Sequence, residues 1–392
     1  MDSSIYRLRY RDILTLCVIA LLALGVVMVQ SASMRITGQL QWQWTPAGIA
    51  QLKLAGLALF VYWLVGRFDY RWLARGTFWR GPILWMTIVS AALCLLVLVP
   101  GLGKNINGAK RWLKFAPLQP SELGKYAVVL FLAYSLAFRP FDLTQFKRGF
   151  LPMLIPVGII TLLVVIQDFG TAALIAISTI AMCLAGCVRL RHLAVVTVPA
   201  MAIGFWFVRH KEYRWRRIIA FMDPYSAPQK EGYHMIQSLL SFSTGGIFGR
   251  GLGNGIQKLG YLPEDTTDFI FAVICEELGL FGAMLTIALY LGIIFVAWQI
   301  VRRNRDSFGR LLAFGIATMV GLQALINIAV ATVSVPTKGL SLPLVSAGGS
   351  GLVITCAALG LLYSISRFLH ENGKEEETAL WEMSSMALAG AL

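Results

Sequence analysis

Apolar residues run in blocks of membrane-spanning length along almost the whole chain, separated by short polar stretches rich in arginine. The blocks fall at about 13–31, 46–66, 81–100, 122–138, 149–166, 170–187, 192–208, 269–300, 308–334 and 343–366. A helix needs about 20 apolar residues to cross a hydrocarbon core about 30 Å thick. The pattern therefore predicts an all-α polytopic membrane protein with about ten transmembrane helices. The long interruption is 209–268, with its own glycine run from Gly245 to Gly255. It is too long for a plain connector, so a functional role is expected of it. Residues 1–392 read as one integral membrane domain without a fused soluble one, and 367–392 read as a tail.

An even number of crossings puts both termini on one side. The loops of that side carry Arg67, Arg71, Arg75 and Arg80, then Arg139, Lys147 and Arg148, then Arg189 and Arg191, then Arg302, Arg303, Arg305 and Arg310. The positive-inside rule places that side, and both termini, in the cytoplasm. Arg7, Arg9 and Arg11 precede the first block without a convincing cleavage site after it, so it is expected to remain as an anchor.

Composition agrees: 57% of the 392 residues are hydrophobic and 14% charged, with mean hydropathy +0.69. A water-soluble fold is excluded on that balance. The six cysteines lie in apolar stretches and read as small hydrophobes. Net charge is +14, and two segments on the non-cytoplasmic side are strongly basic. One is 101–119, with Lys104, Lys110, Arg111 and Lys114; the other is 209–268, with Arg217, Arg250 and Lys258 among its cations. Either they face lipid headgroups or they bind an anionic substrate, since guanidinium forks match phosphate.

Ionisable residues inside membrane segments are costly and are usually retained for use. Glu122 and Lys125 are three apart at the start of the fourth block and can pair on one face. Asp168 sits where two blocks meet almost without a loop; it either caps the next helix or faces a cavity. The segment YLPEDTTDFIFAVICEELG, 261–279, turns from polar loop to apolar helix and holds Glu264, Asp265, Thr267 and Asp268. Thr267 or Asp268 is expected to cap that helix, while Glu276 and Glu277 read as structural partners of a buried cation. Asp268, at the boundary, is the first candidate for catalysis. Ser346–Ser350, small residues entering the last block, point to close helix packing.

Together NGAKRW (107–112), QPSELGK (119–125), QDFGTA (167–172), the glycine-rich stretch 245–279 and PTKGLSLPLVSAGGS (336–350) resemble the SEDS family of bacterial shape, elongation, division and sporulation proteins. The likeness is closer to its division branch than to its elongation branch. Three departures stand out. Asp265 and Thr266 occupy the place of the usual Ala-His, the usual proline is absent so that Gln167 directly precedes Asp168, and Ala347 stands where an aromatic is usual.

The resemblance implies a peptidoglycan glycosyltransferase that polymerises lipid II on the outer face of the bacterial cytoplasmic membrane, with Asp268 as the catalytic aspartate, acting as general base. A lipid pyrophosphate is already a good leaving group, so one general base suffices; glycosidases, by contrast, need two carboxylates. Glu122, Lys125, Asp168, Lys110, Arg111, Arg250, Lys258, Glu264 and Thr267 are the expected substrate-binding residues. The motifs fix no cofactor, and a divalent cation, Mg2+ or Mn2+, would suit the pyrophosphate. A class B penicillin-binding protein, other divisome proteins and membrane lipids are the implied partners, and nucleic acid is not. Two alternatives stay open: a lipid II flippase, and a scaffold that only recruits the transpeptidase.

Overall fold

Within hydrocarbon every backbone amide and carbonyl needs a partner from its own segment, and the helix supplies one. The computed structural model describes residues 9–34, 44–76, 80–106, 109–114, 118–138, 143–210, 212–230, 232–337 and 339–389. Their helices are α1 (Tyr10–Ala32), α2 (Pro46–Arg67), α3 (Pro82–Leu98), α4 (Pro120–Phe138), α5 (Leu151–Gln167), α6 (Phe169–Ala185), α7 (Leu190–His210), α8 (Glu212–Met222), α9 (Tyr233–Gly245), α10 (Ile270–Arg303), α11 (Ser307–Ala331) and α12 (Ser350–Ala389). Eight helical segments among the described residues are long and apolar enough to cross a membrane, and α3 and α6 are shorter apolar helices. The protein is a helical, polytopic membrane protein.

Burial sorts the helices into centre and rim. Residues 120–136 of α4 are buried almost without a break, as befits a helix packed on every side. Leu193 is the one buried residue of α7, whose Val198, Met201, Ile203, Phe205 and Trp206 are exposed. Such a surface makes sense only with lipid as its solvent.

Four sequence expectations are corrected. An antiparallel hairpin, β1 (Gly103–Ile106) with β2 (Ala109–Leu113), irregular between Lys104 and Asn105, interrupts the helical pattern. Residues 209–268 are not plain loop: they contain α8, a short 3-10 turn at Pro224–Ser226, and α9. The last helix begins at Ser350 rather than near 343, because Pro343 and the Gly348–Gly349 pair interrupt it, and its backbone stays helical to Ala389, through most of the expected tail. Finally, α10 is broken at Gly279, whose φ of 64° and ψ of −156° split it into 270–278 and 280–303.

Candidate active site

The polar residues at one end of the bundle converge on the loop 339–349. Lys125 is wholly buried on α4, and its ammonium lies 2.8 Å from Glu122 Oε2. The same ammonium donates to Gln323 Oε1 at 2.6 Å, and Gln323 Nε2 donates to the Ser341 carbonyl at 2.9 Å. One turn further along α11, Asn327 Nδ2 donates to the carbonyls of Asp268 and Leu340, at 2.8 and 2.7 Å. Gln323 and Asn327 thus share a helix face and tie the Glu122–Lys125 pair to the Asp268 backbone through one loop.

That loop also holds residues 266–268 directly. Ser346 Oγ donates to the Thr267 carbonyl at 2.6 Å and accepts from Leu342 N at 2.7 Å. The Ala347 amide donates to the Thr266 carbonyl at 2.9 Å. Glu264 and Leu344, with φ of 58° and 65°, are non-glycine residues in the left-handed region on either side of this junction. Strain of that kind persists only where the surroundings over-determine the backbone.

The Asp268 carboxylate is otherwise loosely held. Phe269, not Thr267 or Asp268, is the N-cap of α10, and it makes no side-chain cap bond. The expected cap is therefore absent, and among the described residues the Asp268 carboxylate accepts no hydrogen bond. Gly339 lies against it: a Cβ there would sit 3.1 Å from Asp268 Oδ2 and 3.5 Å from Arg111 Nη1. The Arg111 guanidinium, carried on β2, is itself 3.5 Å from Asp168 Oδ2, and its Nε donates to the Gln167 carbonyl at 3.3 Å. Of the two readings the sequence left open for Asp168, the cap is the one seen, with a guanidinium beside it. It caps α6 by accepting from the Gly170 and Thr171 amides, and it faces Arg111.

Electrostatics single out Asp268. Burial is the main cause that pushes its carboxyl up to about 7, with Glu264 adding to the rise, Arg111 opposing it, Asp168 adding, and Arg217 opposing. Asp265 is also raised, to about 6, again chiefly by burial. A carboxylate near 7 is matched to proton abstraction at neutral pH. Glu264 is exposed, and its Oε2 accepts from Thr267 Oγ1 at 2.8 Å, so those two residues hold each other at the rim.

Lys258 and Arg250 belong elsewhere. Lys258 is buried, and its ammonium is 2.7 Å from Glu277 Oε1 and donates to Ser31 Oγ at 3.1 Å. Glu277 also accepts from Ser31 and from the Gly253 amide, while Glu276 accepts from the Ile256 and Gln257 amides. The expected buried cation therefore exists for Glu277; for Glu276 backbone amides take its place. The glycine run permits the approach: a Cβ on Gly249 (φ 76°) would lie 2.2 Å from the Glu277 carbonyl. Arg250 lies on this run, side chain exposed, its amide donating to the Glu276 carbonyl at 3.0 Å. The side chain of Lys110 lies outside the described residues.

Sequence reasoning missed Gln323 and Asn327, single residues in an apolar segment with no local pattern to mark them, and gave Gly339 no role of its own within the 336–350 motif. It also missed His234 on α9, whose ring stacks on Phe269 at 5.9 Å and 8° and is lowered by burial. Among the described residues no three His, Cys, Asp or Glu side chains group as a metal site. Asp168 and Asp268 instead flank a guanidinium. That donor set does not make a protein cage for a divalent cation.

The profile of the cell cycle protein family of FtsW, RodA and SpoVE matches residues 11–371. A Geobacter sulfurreducens protein named probable peptidoglycan glycosyltransferase FtsW is 38% identical over 369 residues, covering 91% of this chain and 95% of its own. Proteins of the same name from Coxiella burnetii (37%; 90% of this chain and 95% of theirs) and Nitrosococcus halophilus (40%; 88% and 89%) align similarly. Among solved structures, a chain from a peptidoglycan synthase complex that coordinates polymerization and crosslinking superposes with TM-score 0.69 at 28% identity, over 91% of this chain and 97% of that one. The rod shape determining protein RodA of Thermus thermophilus gives TM-score 0.63 at 28% identity, over 90% and 95%.

Proposed function

The chain belongs to the FtsW, RodA and SpoVE family of cell cycle proteins, and from that premise we propose that it is a peptidoglycan glycosyltransferase of cell division that polymerises lipid II. The observation that carries the mechanism is the Asp268 carboxylate: raised to about 7, accepting no hydrogen bond among the described residues, and beside Arg111. In the proposed reaction Asp268 takes the proton from the acceptor sugar hydroxyl. The oxygen forms a bond to the donor's anomeric carbon as the bond from that carbon to the pyrophosphate oxygen breaks. Displacement from one side inverts the anomeric centre, and the lipid pyrophosphate leaves with both electrons of the broken bond. Arg111, and Arg217 beyond it, are the cations placed to meet that charge.

The reading includes an arrangement in the membrane. Ten apolar helices, α1–α7 and α10–α12, cross the bacterial cytoplasmic membrane, with both termini in the cytoplasm. The end that holds Asp268, β1–β2 and the segment of α8 and α9 faces outward. Lipid II enters sideways between helices, so its tail stays in the bilayer while its sugar and pyrophosphate meet the site. Glu122 and Lys125 shape the floor of that site through Gln323 and the 339–349 loop. A class B penicillin-binding protein and divisome proteins are the proposed partners.

Purified wild-type protein and Asp268→Asn, each with its transpeptidase partner on lipid II in liposomes, test the reading. Glycan strands from the wild type and none from the folded variant are expected. Equal polymerisation by both overturns the assignment of Asp268.

A further inference from the structure

A second cavity lies at the far end of the bundle from Asp268. Gly351, at the start of α12, packs against Glu122; Arg367 stands on the same helix roughly 24 Å further on at 1.5 Å per residue. There a cavity of about 340 Å³ opens between the start of α1, the end of α2 and α12. Arg11, Asp12, Tyr62, Trp63, Arg67 and Arg367 line it. Three guanidiniums face one carboxylate, an excess of positive charge around a concave site of small-molecule size.

The arginines are arranged rather than scattered. Arg67 lies over the Trp63 ring at 3.9 Å, Arg367 Nη1 donates to the Arg67 carbonyl at 3.5 Å, and Arg11 is held 3.9 Å from Asp12. Tyr62, buried beneath, pairs its hydroxyl with Thr15 Oγ1 at 2.9 Å and closes the floor. Guanidiniums in a fixed fork suit phosphate oxygens. A stripe of exposed apolar residues leads away along α2: Leu57, Phe60 and Leu64, each at least 40% exposed and spaced three and four apart. A headgroup phosphate in the cavity would leave its acyl chains lying on that stripe.

We propose that this cavity is a binding site for the phosphate of an anionic phospholipid. Basic pockets between membrane helices bind such headgroups by the same physics. Neither the glycosyltransferase reading nor its residues are needed for the site.

The test is native mass spectrometry of the full chain, delipidated in detergent and titrated with phosphatidylglycerol or with phosphatidylcholine of the same acyl chains. A second arm adds inorganic phosphate as competitor. Wild type is expected to retain one phosphatidylglycerol at least about tenfold more tightly than phosphatidylcholine, and millimolar phosphate is expected not to displace it. Arg11→Gln, Arg67→Gln and Arg367→Gln combined should remove that preference. Asp12→Asn, which deletes the one carboxylate, should tighten retention about threefold or more, a gain that misfolding cannot produce. Equal retention by wild type and the triple variant, or no gain in Asp12→Asn, overturns the site. Saturation by phosphate below millimolar reassigns it to a soluble anion and overturns the lipid.

Discussion

Asp268 and Glu277 lie nine positions apart in one segment, yet their surroundings are opposite. Glu277 is wholly buried and saturated: a lysine ammonium, a serine hydroxyl and a backbone amide all point at its two oxygens. Asp268 is largely buried, and among the described residues no hydrogen bond reaches its carboxylate. A buried acid with its partners complete holds structure together; a desolvated acid without them keeps a free lone pair for a substrate. The number of donors around each oxygen separates the structural acid from the proposed catalytic one.

Removing each charge in turn should pull the two acids apart. Asp268→Asn should lower lipid II polymerisation by about 10²- to 10⁴-fold, the usual contribution of a general base, without loss of the folded state. Its stability should move the other way. The Asp268 carboxyl is raised on folding, so its charge destabilises the fold increasingly as pH climbs from the unfolded value, 3.8, to about 7, and by a constant amount above that. The melting temperature of Asp268→Asn should therefore exceed that of wild type at pH 8, and the gap should close towards pH 4.

Glu277→Gln should show the reverse pattern, with the fold lost before the chemistry. Leaving the Lys258 ammonium buried without its partner should cost about 3–5 kcal/mol, read as detergent-solubilised melting temperature. Lys258→Met with Glu277→Leu should recover most of that loss; no recovery would mean the pair is not the lock described.

Arg111→Gln is expected to reduce turnover by about 10²-fold, because it removes a cation aimed at the developing negative charge. Arg111→Lys should recover only part, since an ammonium lacks the fork. Asp265→Asn should cost the least, below about tenfold in the same assay, if Asp265 only tunes its neighbour. A loss as deep as that of Asp268→Asn would make the two a shared base.

Much of this was legible in the chain. The apolar blocks gave the helices because bilayer thickness fixes their length, and the Glu122–Lys125 pair followed from helical spacing. What stayed hidden has physical reasons. The Asp268 carboxylate looked like a cap because its position fits one, but the chain turns at Phe269 and leaves the carboxylate free. Lys258 looked like a substrate cation because sequence cannot show that the glycine run folds it back onto Glu277. Gln323 and Asn327 were silent since two amides in an apolar helix have no signature until the 339–349 loop is laid across them.

The central claim is that Asp268 is the base and that its environment sets when it can act. Its most direct test is the pH profile of lipid II polymerisation by the wild-type complex beside Arg111→Gln. The wild-type rate should rise with pH through an inflection near 7, where Asp268 loses its proton. Arg111 favours the charged carboxylate, so its removal should move that inflection upward. A rate flat from about pH 5.5 to 8.5, or an inflection unmoved in Arg111→Gln, would contradict the assignment.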